Sequence, residues 1–261
     1  MDLQLNGRRA LVTASSAGIG FAVAQVLAEE GCRVAITGRD PGRLEAARGS
    51  LPSERVLALS GDLAQVEDIL RWSEQIQAAW RGVDILVLNS GGPPVGRFEE
   101  FGPEEWLSAF RAMVLPMVTL TQAFLPGMRA QRWGRIVVLT STWVKQPPRE
   151  GGVLSVAMRS ALAGLAKQLA WEVAGEGVLV NHVMPGPTWT DRSRLILERQ
   201  AALRGAPAEE VKRATLADVP LGRYAEPREI AQVVAVLCSE AASFVTGATV
   251  PVDGGQVRSL L

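Results

Sequence analysis

Thr13-Ala14-Ser15-Ser16-Ala17-Gly18-Ile19-Gly20 decides how the chain is read. It follows an apolar run, Arg9–Thr13, and leads into a helical segment, Ile19–Glu30. Small residues in such a strand-to-helix turn let the backbone approach a pyrophosphate. The head of the following helix offers free N–H groups and the positive end of its dipole. A glycine pattern alone is a weak signal; its place in the first strand–helix–strand unit gives it meaning. The second strand ends in Thr37-Gly38-Arg39-Asp40. An acidic side chain at that tip suits a ribose 2′-hydroxyl, whereas an arginine suits a 2′-phosphate. Arg39 follows the strand directly, so NADP is expected over NAD, with Asp40 as the competing signal.

Outward from this turn, short runs rich in Val, Ile and Leu alternate with longer amphipathic stretches. The runs are Arg9–Thr13, Arg33–Thr37, Val56–Leu59, Ile85–Leu88, Arg135–Leu139, Leu179–Met184 and Thr249–Val252. Most are continuously apolar, as strands buried on both faces of a parallel sheet must be. Helical segments fall between them: Ile19–Glu30, Gly42–Arg48, Val66–Trp80, Pro103–Ala130, Val153–Ala174 and Pro227–Ser239. The rhythm is that of an α/β, doubly wound fold. No linker or repeat interrupts it, so a single dinucleotide-binding domain is expected over 1–261. Asp191–Val219 is helical in composition and reads as a lid insertion, about 191–219, with a hinge near Gly186.

The chain has 261 residues, 48 % hydrophobic and 21 % charged, with 27 basic and 27 acidic side chains. At this length about three quarters of the unfolded surface is buried on folding. Zero net charge removes the electrostatic case for nucleic acid and for a polybasic membrane anchor. Cys32 and Cys238 are the only cysteines and His182 the only histidine. They make no disulfide framework and no zinc spacing, so no metal is expected. No apolar run reaches the roughly 18 residues of a membrane span, and Met1-Asp2-Leu3-Gln4-Leu5-Asn6 is too polar for a signal peptide. A cytoplasmic protein is expected.

Further stretches complete a resemblance to the short-chain dehydrogenase/reductase family. Thr13–Gly20 resembles that family's TGxxxGIG turn, with Ala14 in place of the first glycine. Gly61-Asp62-Leu63 resembles the adenine-binding segment, and Asn89-Ser90-Gly91-Gly92 the Asn-Asn-Ala-Gly motif. Pro185-Gly186-Pro187-Thr188-Trp189-Thr190 is similar to the segment that holds the nicotinamide amide and phosphates. Pro220-Leu221-Gly222-Arg223 and Asp253-Gly254-Gly255 resemble C-terminal landmarks. The resemblance covers nearly the whole chain. It implies a Rossmann fold with a seven-stranded parallel sheet in the order 3-2-1-4-5-6-7 and helices on both faces. It also implies an oxidoreductase acting on a small-molecule substrate, and a homo-oligomer, commonly a tetramer, with a dimer as the alternative. Carried over residue by residue, it assigns cofactor binding to Thr13, Ser15, Ser16, Gly18, Ile19, Gly20, Arg39, Asp62, Leu63, Asn89, Gly91, Pro185, Gly186, Thr188 and Thr190.

The family's chemistry uses an Asn, a Ser and a Tyr-x-x-x-Lys pair, and here the resemblance thins. Ser141 matches the Ser. Registered from Gly164–Glu172, the next helix offers Ser155 and Arg159 at the Tyr and Lys positions, and Met113 stands at the Asn position. Tyr224 is the only tyrosine and lies far along the chain; the only lysines are Lys145, Lys167 and Lys212. A Ser hydroxyl is a far weaker acid than a phenol, and an Arg holds charge without shuttling protons. Lys145, four residues after Ser141, is the best alternative acid, with water as the other source. Pro116 sits inside the expected long helix and cannot bond the carbonyl of Ala112, which either binds such a water or marks only a helix kink. Oxidoreductase and catalytically silent NADP(H)-binding protein thus both stand.

Lys145, Arg149 and Arg159 bias the loop after the fifth strand towards an anionic or polar ligand, diluted by Glu150. Trp143 and Trp189 are expected either to wall an apolar pocket or to seal the lid. His182 is expected to be a packed, hydrogen-bonded residue of the sixth strand.

Overall fold

The computed structural model describes residues 2–52, 55–149 and 151–260, so Glu150 lies outside them. The strands are β1 (Arg9–Val12), β2 (Arg33–Gly38), β3 (Val56–Ser60), β4 (Ile85–Leu88), β5 (Gly134–Leu139), β6 (Val178–Pro185) and β7 (Thr249–Val252). The helices are α1 (Gly18–Glu29), α2 (Pro41–Gly49), α3 (Val66–Trp80), α4 (Pro103–Met113), α5 (Leu115–Ala130), α6 (Val153–Val173), α7 (Asp191–Arg204), α8 (Ala208–Ala217) and α9 (Pro227–Leu237). The strands form one sheet in the order β3-β2-β1-β4-β5-β6-β7. Every neighbouring pair is parallel.

The apolar runs are explained by two cores. Successive strand residues point to opposite faces. Val12, Ile36 and Val87 therefore pack with Val23, Leu27, Ile230 and Val234 of α1 and α9. Leu11, Leu86 and Val138 pack on the other face with Trp72, Met117, Phe124 and Leu162 of α3, α5 and α6. β7 is the edge strand, and Pro251 fits there because its missing N–H faces no partner.

At the N-terminal edge of the sheet, Asp84 is buried. The Arg9 backbone N–H and Nε both donate to its Oδ2 at 2.8 Å, Arg9 Nη2 donates to Oδ1 at 2.5 Å, and Gln131 Nε2 adds a fourth bond at 2.9 Å. Burial works against ionisation of Asp84, but the bonds from Arg9 outweigh it and hold the carboxyl below its ordinary range.

Two expectations change. The long helix expected over Pro103–Ala130 is broken at Val114, and Pro116 lies in the first turn of α5, where its missing N–H costs nothing. The proline within a helix is instead Pro126. Taken as one stretch, Pro103–Ala130 is by length and composition apolar enough to cross a membrane, but it folds as two shorter helices. Met117, Leu120, Phe124 and Met128 are buried in the second core, which accounts for that composition. Gly186, expected near a hinge, is fixed: its N–H bonds Val252 O at 2.9 Å, and a Cβ there would lie 2.6 Å from Asp253 Cα. Close backbone approach explains this glycine. The stretch after Thr190 folds as α7 and α8, separated at Gly205.

Candidate active site

The C-terminal edge of the sheet gathers the residues singled out above. α1 begins at Gly18, its N-cap residue Ala17 gives no side-chain cap, and its first turn holds no acid. The first N–H groups of α1 thus face outward without an intrahelical acceptor. Ala14 takes the left-handed conformation at φ 46°, as does Gly18 at 59°. At Gly20 the constraint is space: a Cβ would lie 2.8 Å from Asn89 Nδ2 and 3.0 Å from Ser15 Cα.

The turn's side chains do not all face the opening. Thr13 Oγ1 donates to Asn89 O at 2.7 Å and accepts from Asn89 N at 2.8 Å, tying β1 to β4. Ser15 is fully buried; its Oγ donates to Val12 O at 2.6 Å and accepts from Thr37 N at 3.0 Å. Both hydroxyls are thus committed to the scaffold, and only backbone remains for a ligand at those positions. Asn89 Nδ2 donates to Ala14 O at 3.2 Å and braces the turn from beneath.

Arg39 projects into solvent, its guanidinium 3.9 Å from the Asp62 carboxylate. Asp40 is occupied otherwise: its Oδ1 accepts from Arg43 N at 2.9 Å and caps α2. Asp62 holds its own loop, Oδ1 accepting from Ala64 N at 3.0 Å. Leu63, Asn89, Ser90, Ala112, Met113 and Pro116 line a small cavity of about 10 Å³, the size of one water site. Gly91 leaves open space above its backbone.

The head of α7 lies against the turn. Thr190 caps it, Oγ1 accepting from Ser193 N at 3.1 Å, and the Thr190 methyl lies 3.5 Å from where a Gly18 Cβ would be. Thr188 is buried, its hydroxyl donating to Gly186 O at 3.0 Å. Arg43 of α2 reaches Asp191 at the head of α7 with a 2.7 Å ion pair. Trp189 packs edge-on against Tyr224, ring centres 5.1 Å apart, with Lys212 over its other side. Trp189 thereby seals α8 to the body.

Behind β5 and β6, Ser141 Oγ accepts from Trp143 N at 3.2 Å, which leaves its proton free to donate. Ser155 and Arg159 meet as the i, i+4 spacing requires: Arg159 Nε donates to Ser155 Oγ at 3.0 Å. Arg159 Nη1 also donates to Thr140 O at 2.5 Å, one residue from Ser141. Burial, then repulsion from Arg192, brings the Arg159 guanidinium down to about 10. Lys145 sits one turn beyond Ser141 with an exposed side chain. His182 is buried, bonded to Thr140 Oγ1 and 3.4 Å from Thr249 Oγ1. Burial, then Arg159 and Lys145, push it down to about 4, so it is neutral at pH 7. No metal-ligand cluster occurs among the described residues.

Sequence reasoning missed Arg192. Its Nη2 donates to Pro93 O at 2.5 Å, which brings it beside Arg159. Only the fold reveals this, since Pro93 lies far back in the chain.

The whole-chain comparisons agree with this geometry. The family described as Enoyl-(Acyl carrier protein) reductase matches residues 13–256. The chain is 35 % identical to 3-oxoacyl-(acyl-carrier-protein) reductase FabG of Aquifex aeolicus, over 98 % of this chain and 99 % of that one. It is 34 % identical to D-beta-hydroxybutyrate dehydrogenase of Cupriavidus necator, over 97 % and 99 %. The chain belongs to the short-chain dehydrogenase/reductase family. L-sorbose reductase of Gluconobacter frateurii, solved with NADPH and L-sorbose, superposes with a TM-score of 0.92 at 31 % identity, covering all of both chains. A variant of actinorhodin polyketide ketoreductase, solved with NADPH, gives 0.92 at 30 %, covering 98 % of this chain and 99 % of that one.

Proposed function

We propose that this short-chain dehydrogenase/reductase is an NADP(H)-dependent oxidoreductase. It would move a hydride between the nicotinamide and a carbonyl or alcohol substrate through an atypical active site. The observation that carries the cofactor reading is the pairing of an uncapped, acid-free α1 head with Arg39 directly after Gly38, where an added Cβ would lie 3.0 Å from Ser16 of the turn. Asp40, the acid that would favour a 2′-hydroxyl, is taken up in capping α2. The structural relatives solved with NADPH support the same choice.

The α1 amides of Gly18, Ile19 and Gly20, with Ser16 and the backbone of Thr13 and Ser15, would hold the pyrophosphate, and Arg39 the 2′-phosphate. Asp62 and Leu63 would border the adenine, Asn89 and Gly91 a ribose. Pro185, Gly186, Thr188 and Thr190 would border the nicotinamide end. When bound, the cofactor supplies or accepts the hydride.

Ser141, whose hydroxyl accepts from Trp143 N and still has its proton to donate, orients the substrate oxygen. Ser155 and Arg159 stand at the family's Tyr and Lys positions, and Met113 at that of the relay Asn. Arg159 keeps its proton at pH 7 and stabilises negative charge on the substrate oxygen. The proton comes from Lys145 or from water. α7 and α8 form a helical lid, about 191–219, on a single domain spanning 1–261. Family precedent supports a homo-oligomer, tetramer or dimer, and the free, buried thiols of Cys32 and Cys238 a cytoplasmic setting.

A second reading is favoured by one observation: the sole tyrosine, Tyr224, is engaged with Trp189 on the lid. On that reading the protein binds NADP(H) without turnover. Mixing the purified protein with NADPH and a panel of carbonyl compounds separates the two. Steady NADPH oxidation that Ser141→Ala abolishes is the expected result. Tight cofactor binding with no turnover across the panel assigns the silent reading, and no binding of NADPH or NADH overturns both.

A further inference from the structure

Gly92 lies at the mouth of the site, φ 75°, between two guanidinium groups. A Cβ built there would lie 3.4 Å from Arg159 Nη2 and 3.5 Å from Arg192 Nη2, with Arg192 Nε at 3.8 Å. The two cations are therefore a single van der Waals contact on either side of one point. Like charges at that range repel, and Arg192 is one of the two causes that lower Arg159. Two positive side chains held this close call for a shared counter-charge.

The protein does not supply one among the described residues: neither arginine has a carboxylate among the groups that perturb it, and neither forms an ion pair. Each is held instead by neutral acceptors, Arg159 by Thr140 O and Ser155 Oγ, Arg192 by Pro93 O. These bonds fix the guanidiniums in place and leave donors over: Arg159 Nη2, Arg192 Nε and the second N–H of Arg192 Nη2 lie beside the space above Gly92. Lys145 adds a third cation whose field, like that of Arg159, reaches buried His182.

We propose that Arg192 and Arg159 bind an oxyanion on the substrate, so that the carbonyl compound handled by this protein carries a carboxylate or phosphate group. Guanidinium forks match both anions with paired, charge-assisted hydrogen bonds. The reacting carbonyl lies at Ser141 with Arg159 beside it, and the charged end extends over Gly92, where Arg159 Nη2 and Arg192 meet it together. The proposal rests on the oxidoreductase reading and names the substrate class for that site.

The test uses matched pairs in which only the charge differs: acetoacetate against methyl acetoacetate, and dihydroxyacetone phosphate against dihydroxyacetone. Each is reduced with NADPH by the wild-type protein, by Arg192→Gln and by Arg192→Lys, and NADPH binding to each variant is measured by calorimetry. The expected result is a kcat/KM ratio favouring the charged member of one pair by about ten- to a hundredfold, the range of one lost charged hydrogen-bond set. Arg192→Gln brings that ratio close to one and Arg192→Lys restores part of it. The pair that responds identifies carboxylate or phosphate.

Equal turnover of charged and neutral members in both pairs overturns the proposal and leaves the oxidoreductase reading standing. Loss of NADPH affinity in Arg192→Gln with the charged-to-neutral ratio unchanged also overturns it, and assigns the arginine to the cofactor's pyrophosphate. If nothing turns over while NADPH binds, the oxidoreductase reading fails. Titration of acetoacetate and dihydroxyacetone phosphate into the NADP-loaded protein then decides the anion site. Saturable binding lost in Arg192→Gln supports it, and no heat with either anion overturns it.

Discussion

Replacing Gly20 by alanine isolates the close packing that shapes the phosphate turn. The added methyl would meet the Ala14 carbonyl oxygen most closely, then Asn89 Nδ2 at 2.8 Å and Ser15 Cα at 3.0 Å. Asn89 can retreat only by giving up its 3.2 Å bond to Ala14 O, a loss of about 1 kcal/mol. Ser15 is main chain, locked by its bonds to Val12 and Thr37, so its displacement adds an overpacking cost of about 1–3 kcal/mol. A total of about 2–4 kcal/mol corresponds, for a chain of this size, to a Tm lower by roughly 4–8 °C. The same shift misaligns the α1 amides, and losing one amide–phosphate bond raises the NADPH Kd by about ten- to a hundredfold. Gly18→Ala is the control: its methyl meets only the Thr190 methyl, at an ordinary 3.5 Å, so the left-handed backbone alone costs about 1–2 kcal/mol. Thermal unfolding at fixed protein concentration and calorimetry with NADPH read both quantities. A Gly20→Ala Tm within 1 °C (roughly 0.5 kcal/mol) of wild type refutes the close-packing argument. So does a Gly18→Ala variant less stable than Gly20→Ala.

Ala14→Gly relieves the left-handed strain at φ 46°; after the entropy a glycine adds to the unfolded chain, a net gain of about 0.5 kcal/mol is expected in denaturant titrations. Because His182 is held down to about 4 in the fold, the unfolded chain binds its proton first as pH falls. About 3 kcal/mol of stability is therefore lost between roughly pH 6.5 and 4, and His182→Gln flattens that part of the stability–pH curve. Asp84→Ala leaves the part-exposed Arg9 guanidinium without its carboxylate and costs about 1–3 kcal/mol, whereas joint replacement with Arg9→Met recovers part of it; a double-mutant cycle in denaturant measures the difference. Since the Asp84 carboxyl is lowered in the fold, its contribution is present at neutral pH and fades as pH drops into the carboxylate range.

The sheet was legible because burial on both faces forces continuous apolar runs, and each expected run falls on a strand. The phosphate turn was legible because glycine and small residues there answer to backbone geometry, which depends on neighbours in sequence. The break at Val114 was not: Pro116 fits the inside of a helix and the start of one equally well, and packing on the sheet decides between them. The roles of Thr13 and Ser15 were half legible, since sequence placed them in the turn but not the inward direction of their hydroxyls. Arg192 carries no local signature; its meaning depends on the Gly92–Pro93 backbone from another part of the chain.

The Arg43–Asp191 contact has a kinetic consequence. It joins α2 to α7 beside the proposed dinucleotide site, and both side chains are about half exposed to water. An ion pair between side chains so exposed is screened by water and readily parts. A clasp so readily undone imposes only a modest slowing on ligand entry. Raising ionic strength weakens it further, so the association rate constant gains from salt at this clasp while the phosphate-binding cations lose from it.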